Sequence, residues 1–300
     1  MTKQLSTAGR TRGAAIALMI ASALCFSAMQ LFSSLCASIP VMEQVFIRNA
    51  VSLGMYALIW KKGVPHLGTK KQQPALLAWS LCGFFNVFFL FLAARAGDQG
   101  SLGIIGRLSG FLVVLLAAVF LHEKVAPTQY FAVVLAIAGG AFTVSPSGSL
   151  WGDPFTLTTA LLSSLFNALA SICLGLLKNK VHALTVAFHF SVVSMVLSAP
   201  AVLLDFTVPA PVQWLALVGI GVFGGLGQIT QMWAYERAPV GEINIYGYSG
   251  ILFSMLLGFL FLHEHVTAAA AIGGALVLAA GIWSYAAVGT EKPVSQKATT

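Results

Sequence analysis

"FLHEKVAP" at residues 120–127 and "FLHEHVTA" at residues 261–268 are near copies, 141 positions apart, and each closes a long apolar run. A His-Glu pair invites comparison with a zinc enzyme, and the second copy adds His265. Neither is an HExxH helix, because Ala126 and Thr267 stand where the second histidine would be. The pair serves instead to set a register. Shifting the chain by 141 lays Gly100 on Gly241, Gly106 on Gly247, Leu115-Leu116 on Leu256-Leu257, Val125 on Val266, Leu135 on Leu276 and Gly140 on Gly281. The same shift carries Gly13 to Pro154, so 13–145 and 154–288 read as two copies of one unit. "SPSGSLWGDP" at 145–154, rich in turn formers, is the junction.

Each unit is built from apolar runs of about 20 residues, long enough to cross roughly 30 Å of hydrocarbon as helices. There are ten: 13–35, 41–60, 74–94, 100–121, 128–145, 155–177, 183–204, 212–235, 242–262 and 268–288. Of the 300 residues 58% are hydrophobic and only 8% charged, a composition that excludes a water-soluble fold. The runs are too long and too continuously apolar for barrel strands. An all-α integral membrane protein of ten transmembrane helices is expected, in which every backbone amide is paired within its helix. The first run follows Lys3, Arg10 and Arg12, but at 23 residues it exceeds a cleaved signal's apolar core and reads as a retained helix. Cys25, Cys36, Cys82 and Cys173 form no CxxC pattern and read as small core residues.

With the N-terminus cytoplasmic, thirteen Lys and Arg fall on the inner side and only Arg95 on the outer, as positive-inside sorting requires. The tails 1–12 and 289–300 are then both cytoplasmic, in a multi-pass protein of the cell membrane. The net charge of +7 describes loops beside anionic lipid, with no compact basic domain for nucleic acid. Five helices per unit is an odd number, so the two units enter the membrane from opposite faces. Such inverted repeats recur in secondary transporters, with substrate held near the midplane between halves. The two His-Glu pairs then lie at opposite membrane edges and cannot share an ion. No metal or cofactor is expected, and no GxxxxGK[ST] loop is present for nucleotide.

The five-plus-five arrangement, the paired helix endings "AAVFLHEKV" and "LGFLFLHEHV", and "IPVMEQVFIRNAVSL" at 39–53 together resemble the drug/metabolite transporter superfamily, of the EamA type. Members typically end that run in Leu-Gly-Glu; here His replaces the Gly and the Glu keeps its register. The resemblance spans 13 to 288 and implies ten helices around a central cavity, alternating access, and a small-metabolite substrate such as an amino acid, nucleobase or amine.

Polar residues at membrane depth cost about 2.5–3.5 kcal/mol and generally face a cavity or a partner. Arg107, seven residues into the fourth run among Gly100, Gly103, Gly106 and Gly110, is the leading substrate candidate. A fixed guanidinium there suits a carboxylate or phosphate; the alternative is an ion pair with Glu43 or Asp98. Arg48 is a second candidate, with snorkelling to the outer interface as its alternative. Under the 141 shift Arg48 falls on His189 and Arg107 on Tyr248, giving one polar layer in each half of the bilayer. In "GEINIYGYSG", Asn244 and Tyr248 are four apart and share a helical face, with Tyr246 nearby. Glu242 reads as a helix cap. His189 either titrates, coupling transport to protons, or is satisfied by a neighbouring helix. Asn86 and Asn167 line a cavity or bond across helices, and Gln228, in the inner half of the eighth run with Gln231 and Trp233, is a further candidate ranked below Arg107 and Tyr248. Glycine and alanine clusters around Gly139 and in "AAAAIGGALVLAAG" read as close packing within the chain or in a homodimer.

The reading that results is a secondary active transporter and not an enzyme, with lipid, a small substrate and a proton or counter-substrate as partners. An integral membrane enzyme would need a polar catalytic cluster at one face, and a channel a filter motif or charged ring.

Overall fold

The computed structural model describes residues 2–60, 68–95, 99–112, 116, 131, 134–136, 138–139, 154–177, 181–238 and 243–290. The first FLHE copy, most of the fifth run, the junction, Asp98 and Glu242 lie outside them, as does the side chain of Asn244. Among the described residues every regular element is a helix. They are α1 (Thr2–Leu35), α2 (Val41–Trp60), α3 (Gln73–Ala93), α4 (Gln99–Gly106), α5 (Pro154–Leu177), α6 (Ala183–Leu204), α7 (Pro211–Arg237), a 3-10 turn (Asn244–Tyr248), α8 (Ser249–Phe261) and α9 (Ala268–Thr290).

Five described spans are long and apolar enough to cross a membrane: Arg12–Leu35, Gln73–Ala93, Pro154–Leu174, Ala183–Leu204 and Pro211–Arg237. Leu58, Val196, Leu203 and Leu252 point outward, an apolar surface of the kind that meets lipid and not water. Helix α2 is the polar exception, and its Glu43, Gln44, Arg48 and Asn49 are all buried. Turn chemistry starts the helices where the sequence allows. Pro211 opens α7, where its missing N–H is not needed, and Gln213 Oε1 accepts from Ala210 N–H at 2.8 Å.

Interhelical packing is made by glycines and serines. On α7, a Cβ at Gly221 would collide with Val51 of α2, one at Gly225 would reach Ser52 at 3.0 Å, and one at Gly227 would reach Phe26 of α1 at 3.0 Å. Hydroxyls fill the carbonyl lone pairs so exposed: Ser22 donates to Gly227 O at 2.8 Å and Ser52 to Gly221 O at 3.0 Å. Helix α1 thus packs on α7 and α3 on α5; α2 packs on α7 and α6 on α3; α1 packs on α8 and α5 on α4; α2 meets α6, and α4 meets α8. Gly139 lies against the backbone of Gly273, 2.9 Å from its carbonyl for an added Cβ, so these small-residue clusters do pack within the chain.

The second FLHE copy ends a helix. Phe261 is the last residue of α8, and the N–H groups of Leu262 and Glu264 both return to Gly258 O. Between them His263 adopts φ 53°, the left-handed region where a Cβ is strained. That is the position where the resemblance noted above implies Gly. Thr267 caps the next helix, its hydroxyl accepting from Ala270 N–H at 3.1 Å. Replacing His263 by Gly is expected to stabilise the protein by about 1 kcal/mol, by release of left-handed strain. A denaturant or thermal midpoint that falls in H263G contradicts this.

Candidate functional site

The fourth and ninth apolar runs do not form the continuous helices expected. The fourth breaks at Arg107, whose N–H reaches back only to Ile104 O (3.0 Å), while Gly110 N–H reaches Arg107 O (3.3 Å). The ninth opens as the 3-10 turn 244–248 before α8 begins. Adding 141 to 107 gives 248, so both breaks fall at one register position. A 3-10 turn repeats every three residues, which removes the shared face expected for Asn244 and Tyr248. Departures of this kind free backbone and side chains to face a site instead of a helix surface.

The two broken segments cross at close range. A Cβ at Gly103 would lie 2.7 Å from Ser254, and one at Gly250 would occupy the position of the Arg107 guanidinium. Glycine at 250 therefore leaves room for the arginine where it lies. Gly250 is itself held, its carbonyl accepting from Ser27 at 3.1 Å, while Ser254 donates to Ser27 at 3.0 Å. The half-buried Arg107 has the Tyr248 and Tyr235 hydroxyls as electrostatic neighbours. Phe111 packs edge-on against Tyr248 with ring centroids 5.9 Å apart, and the other side of that ring lies over Gly281, 3.1 Å from a built Cβ. On the α5 side, Asn167 donates to Ser109 Oγ (2.9 Å), Ser164 to Ile105 O (2.8 Å) and Ser163 to Asn86 Oδ1 (2.8 Å). Arg107, Tyr248 and Asn167 are thus joined through residues 105–111, and Asn86 is tied to the same helix α5 through Ser163.

The remaining candidates are placed elsewhere. Glu43 does not pair with Arg107; its Oε2 accepts from Thr207 N–H at 3.1 Å. Among the described residues no carboxylate forms an ion pair with Arg107. Arg48 does not snorkel: it is 1% exposed, donates to Asn49 Oδ1 at 2.9 Å, and lies 4.9 Å above the Phe190 ring. The slot beside Gly224, where a Cβ would come within 2.9 Å of Arg48 Nε and of Met29 Sδ, draws it inward. His189 is satisfied by α3, with Nε2 2.9 Å from Gln73 Oε1 and Nδ1 3.4 Å from Ser80 Oγ. Tyr246 packs beside Ala15 and Met19 of α1, apart from Tyr248. Gln228 is buried on α7, one turn beyond Gly224. Tyr235, Phe111, Ser109 and Gly250 had not been singled out. For Tyr235 a signal existed, since Gln228, Gln231 and Tyr235 run at i, i+3 and i+7 on one face.

A cation enclosed by two broken helices in an all-helical, lipid-facing bundle is the architecture of a membrane transporter. The same fold occurs in a solved crystal structure with TM-score 0.63 and 20% identity, the match covering 88% of this chain and 97% of that one. The pseudopaline exporter CntI of Pseudomonas aeruginosa is 29% identical over 272 residues, covering 89% of this chain and 94% of the exporter. An uncharacterized transporter of Helicobacter pylori is 26% identical over 286 residues, covering 89% and 93%. The EamA-like transporter family matches residues 13–145 and again 154–286, and the chain belongs to it.

Proposed function

We propose that this multi-pass membrane protein is a secondary active transporter that moves a small polar or amphipathic metabolite by alternating access, with Arg107 engaging an anionic group of the cargo. The observation that carries this reading is the pair of helix breaks at 107 and 244–248, which bring Arg107 and Tyr248 together at matched positions of the two halves. Ten membrane-crossing helices form two inverted units, 13–145 and 154–288, around a central cavity, with both termini cytoplasmic in the cell membrane. The double family match supports the units. So does the packing, because exchanging α1 with α5, α2 with α6, α3 with α7 and α4 with α8 maps the contacts between halves among these eight helices that are named above onto one another. A carboxylate is the favoured partner, since a guanidinium binds it through two parallel bonds.

Counterflow in proteoliposomes tests the reading. Labelled amino acids, nucleobases and amines are each presented against their unlabelled form inside. Saturable counterflow of a carboxylate-bearing probe, absent for a simple amine, is expected. Non-saturable flux would indicate a channel, and chemical conversion of a probe an enzyme.

A further inference from the structure

At one end of the bundle the two halves are tied by a small set of bonds centred on the α1–α2 connection. Gln213 of α7 donates to Ser38 Oγ at 2.8 Å, and the Cys36 thiol lies 3.8 Å from Gln213 O. Glu43 makes the third tie, to the backbone of Thr207 in the α6–α7 loop. It is 1% exposed, and it is the buried acid among the described residues. Its Oε2 holds Thr207 N–H, while Oε1 is buried with no donor among the described residues. Gln44 fixes the connection from within, donating to Cys36 O (2.9 Å) and Ile39 O (3.0 Å), and Arg95 does so from outside α3 by donating to Ala37 O (2.9 Å). Among the described residues the charged group that acts on Glu43 is Asp205 on the α6–α7 loop, while Cys36 and Arg95 bond at the α1–α2 connection and Arg48 lies further along α2. None of them forms an ion pair with it.

We propose that Glu43 is a proton-binding site that sets the strength of this tie between the halves. Oε1 is the one position on the carboxyl group where a proton can sit without displacing an existing bond. One proton forms an O–H bond there, and the group passes from charge −1 to neutral. A charged acceptor holds an N–H about twice as strongly as a neutral one. Proton uptake therefore loosens Glu43 from Thr207 and eases the halves apart at this end. The coupling ion of the proposed transport cycle is then a proton, an assignment that rests on the transporter reading given above.

Cys36 provides a native reporter. Burial pushes its thiol up to about 11, so it reacts poorly while this end is closed. The full-length protein in detergent micelles is labelled with a maleimide across a range of pH, and the Cys36 peptide is quantified by mass spectrometry in wild type and in Glu43→Gln. Taking the ratio of the two removes the thiol's own pH dependence. The wild-type to E43Q ratio is expected to start several-fold below one at alkaline pH and to rise to one on acidification, because Gln mimics the neutral acid. A ratio that stays constant across pH overturns the proposal. Glu43→Asp, which keeps the carboxyl group, should titrate with a displaced midpoint, and an unmoved midpoint overturns it equally. No cargo is needed, so this outcome is independent of counterflow: lost counterflow with intact titration sinks the transport reading and leaves the proton site.

Discussion

Replacing Arg107 by Gln lowers counterflow at limiting probe concentration by about 10- to 150-fold while leaving the protein monodisperse in detergent. The magnitude follows from hydrogen bonds to a charged group, worth about 1.5–3 kcal/mol, at about 1.4 kcal/mol per tenfold. The fold should survive because no carboxylate among the described residues is left stranded by the change. Removing one member of a buried ion pair would cost about 3–5 kcal/mol of stability, and among the described residues Arg107 has no such partner. Arg107→Lys should recover only part of the loss, since an ammonium keeps the charge but not the two-bond grip. Tyr248→Phe, which keeps the ring edge-on to Phe111 and against Gly281 and removes one hydroxyl, should cost less than R107Q. Full activity in R107Q would take Arg107 out of the site and return it to a packing role.

What the sequence made visible, and what it hid, divides by range. The apolar runs and the 141-residue register are local or periodic signals, and they located the helices and the family. Arg107 and Tyr248 emerged as a matched pair from register alone, before anything placed them together. The helix breaks were invisible because residues 99–112 and 243–261 have an apolar content that continuous helices would share. The breaks coincide with a close tertiary fit, Gly250 under the Arg107 guanidinium and Gly103 against Ser254. Arg48 was misjudged for a related reason. Depth alone predicts escape to the headgroups, whereas the slot at Gly224 and the face of Phe190 offer an internal berth that only the packing of α7 and α6 creates. Glu43 looked like a partner for a cation, and the backbone of Thr207, 164 residues away, took that place. The His-for-Gly departure at 263 was legible as a departure, but its left-handed backbone was not.

The α2–α7 seam should be the least tolerant of added volume, and Gly221→Val is expected to destabilise the protein by about 3–5 kcal/mol. A Cβ at 221 already collides with Val51, so the two backbones must separate before the rest of the side chain is accommodated. Overpacking of this kind costs about 1–3 kcal/mol. Separation also lengthens two bonds across the seam, Ser52 to Gly221 O at 3.0 Å and Tyr56 to Gly225 O at 3.2 Å, each worth about 1 kcal/mol. Gly54→Ala on α2, the other helix of the seam, is the control, because a Cβ there meets nothing within 4 Å. Alanine in that helix interior should be neutral or stabilising by up to about 1 kcal/mol. Unfolding both variants in an SDS titration separates close approach from a general intolerance of change. Equal stability of G221V and G54A would mean that α2 and α7 can part without loss, and the seam would no longer explain why glycines recur along α7. Because that seam joins the two halves, a stable G221V that had lost counterflow would instead locate the motion of the transport cycle there.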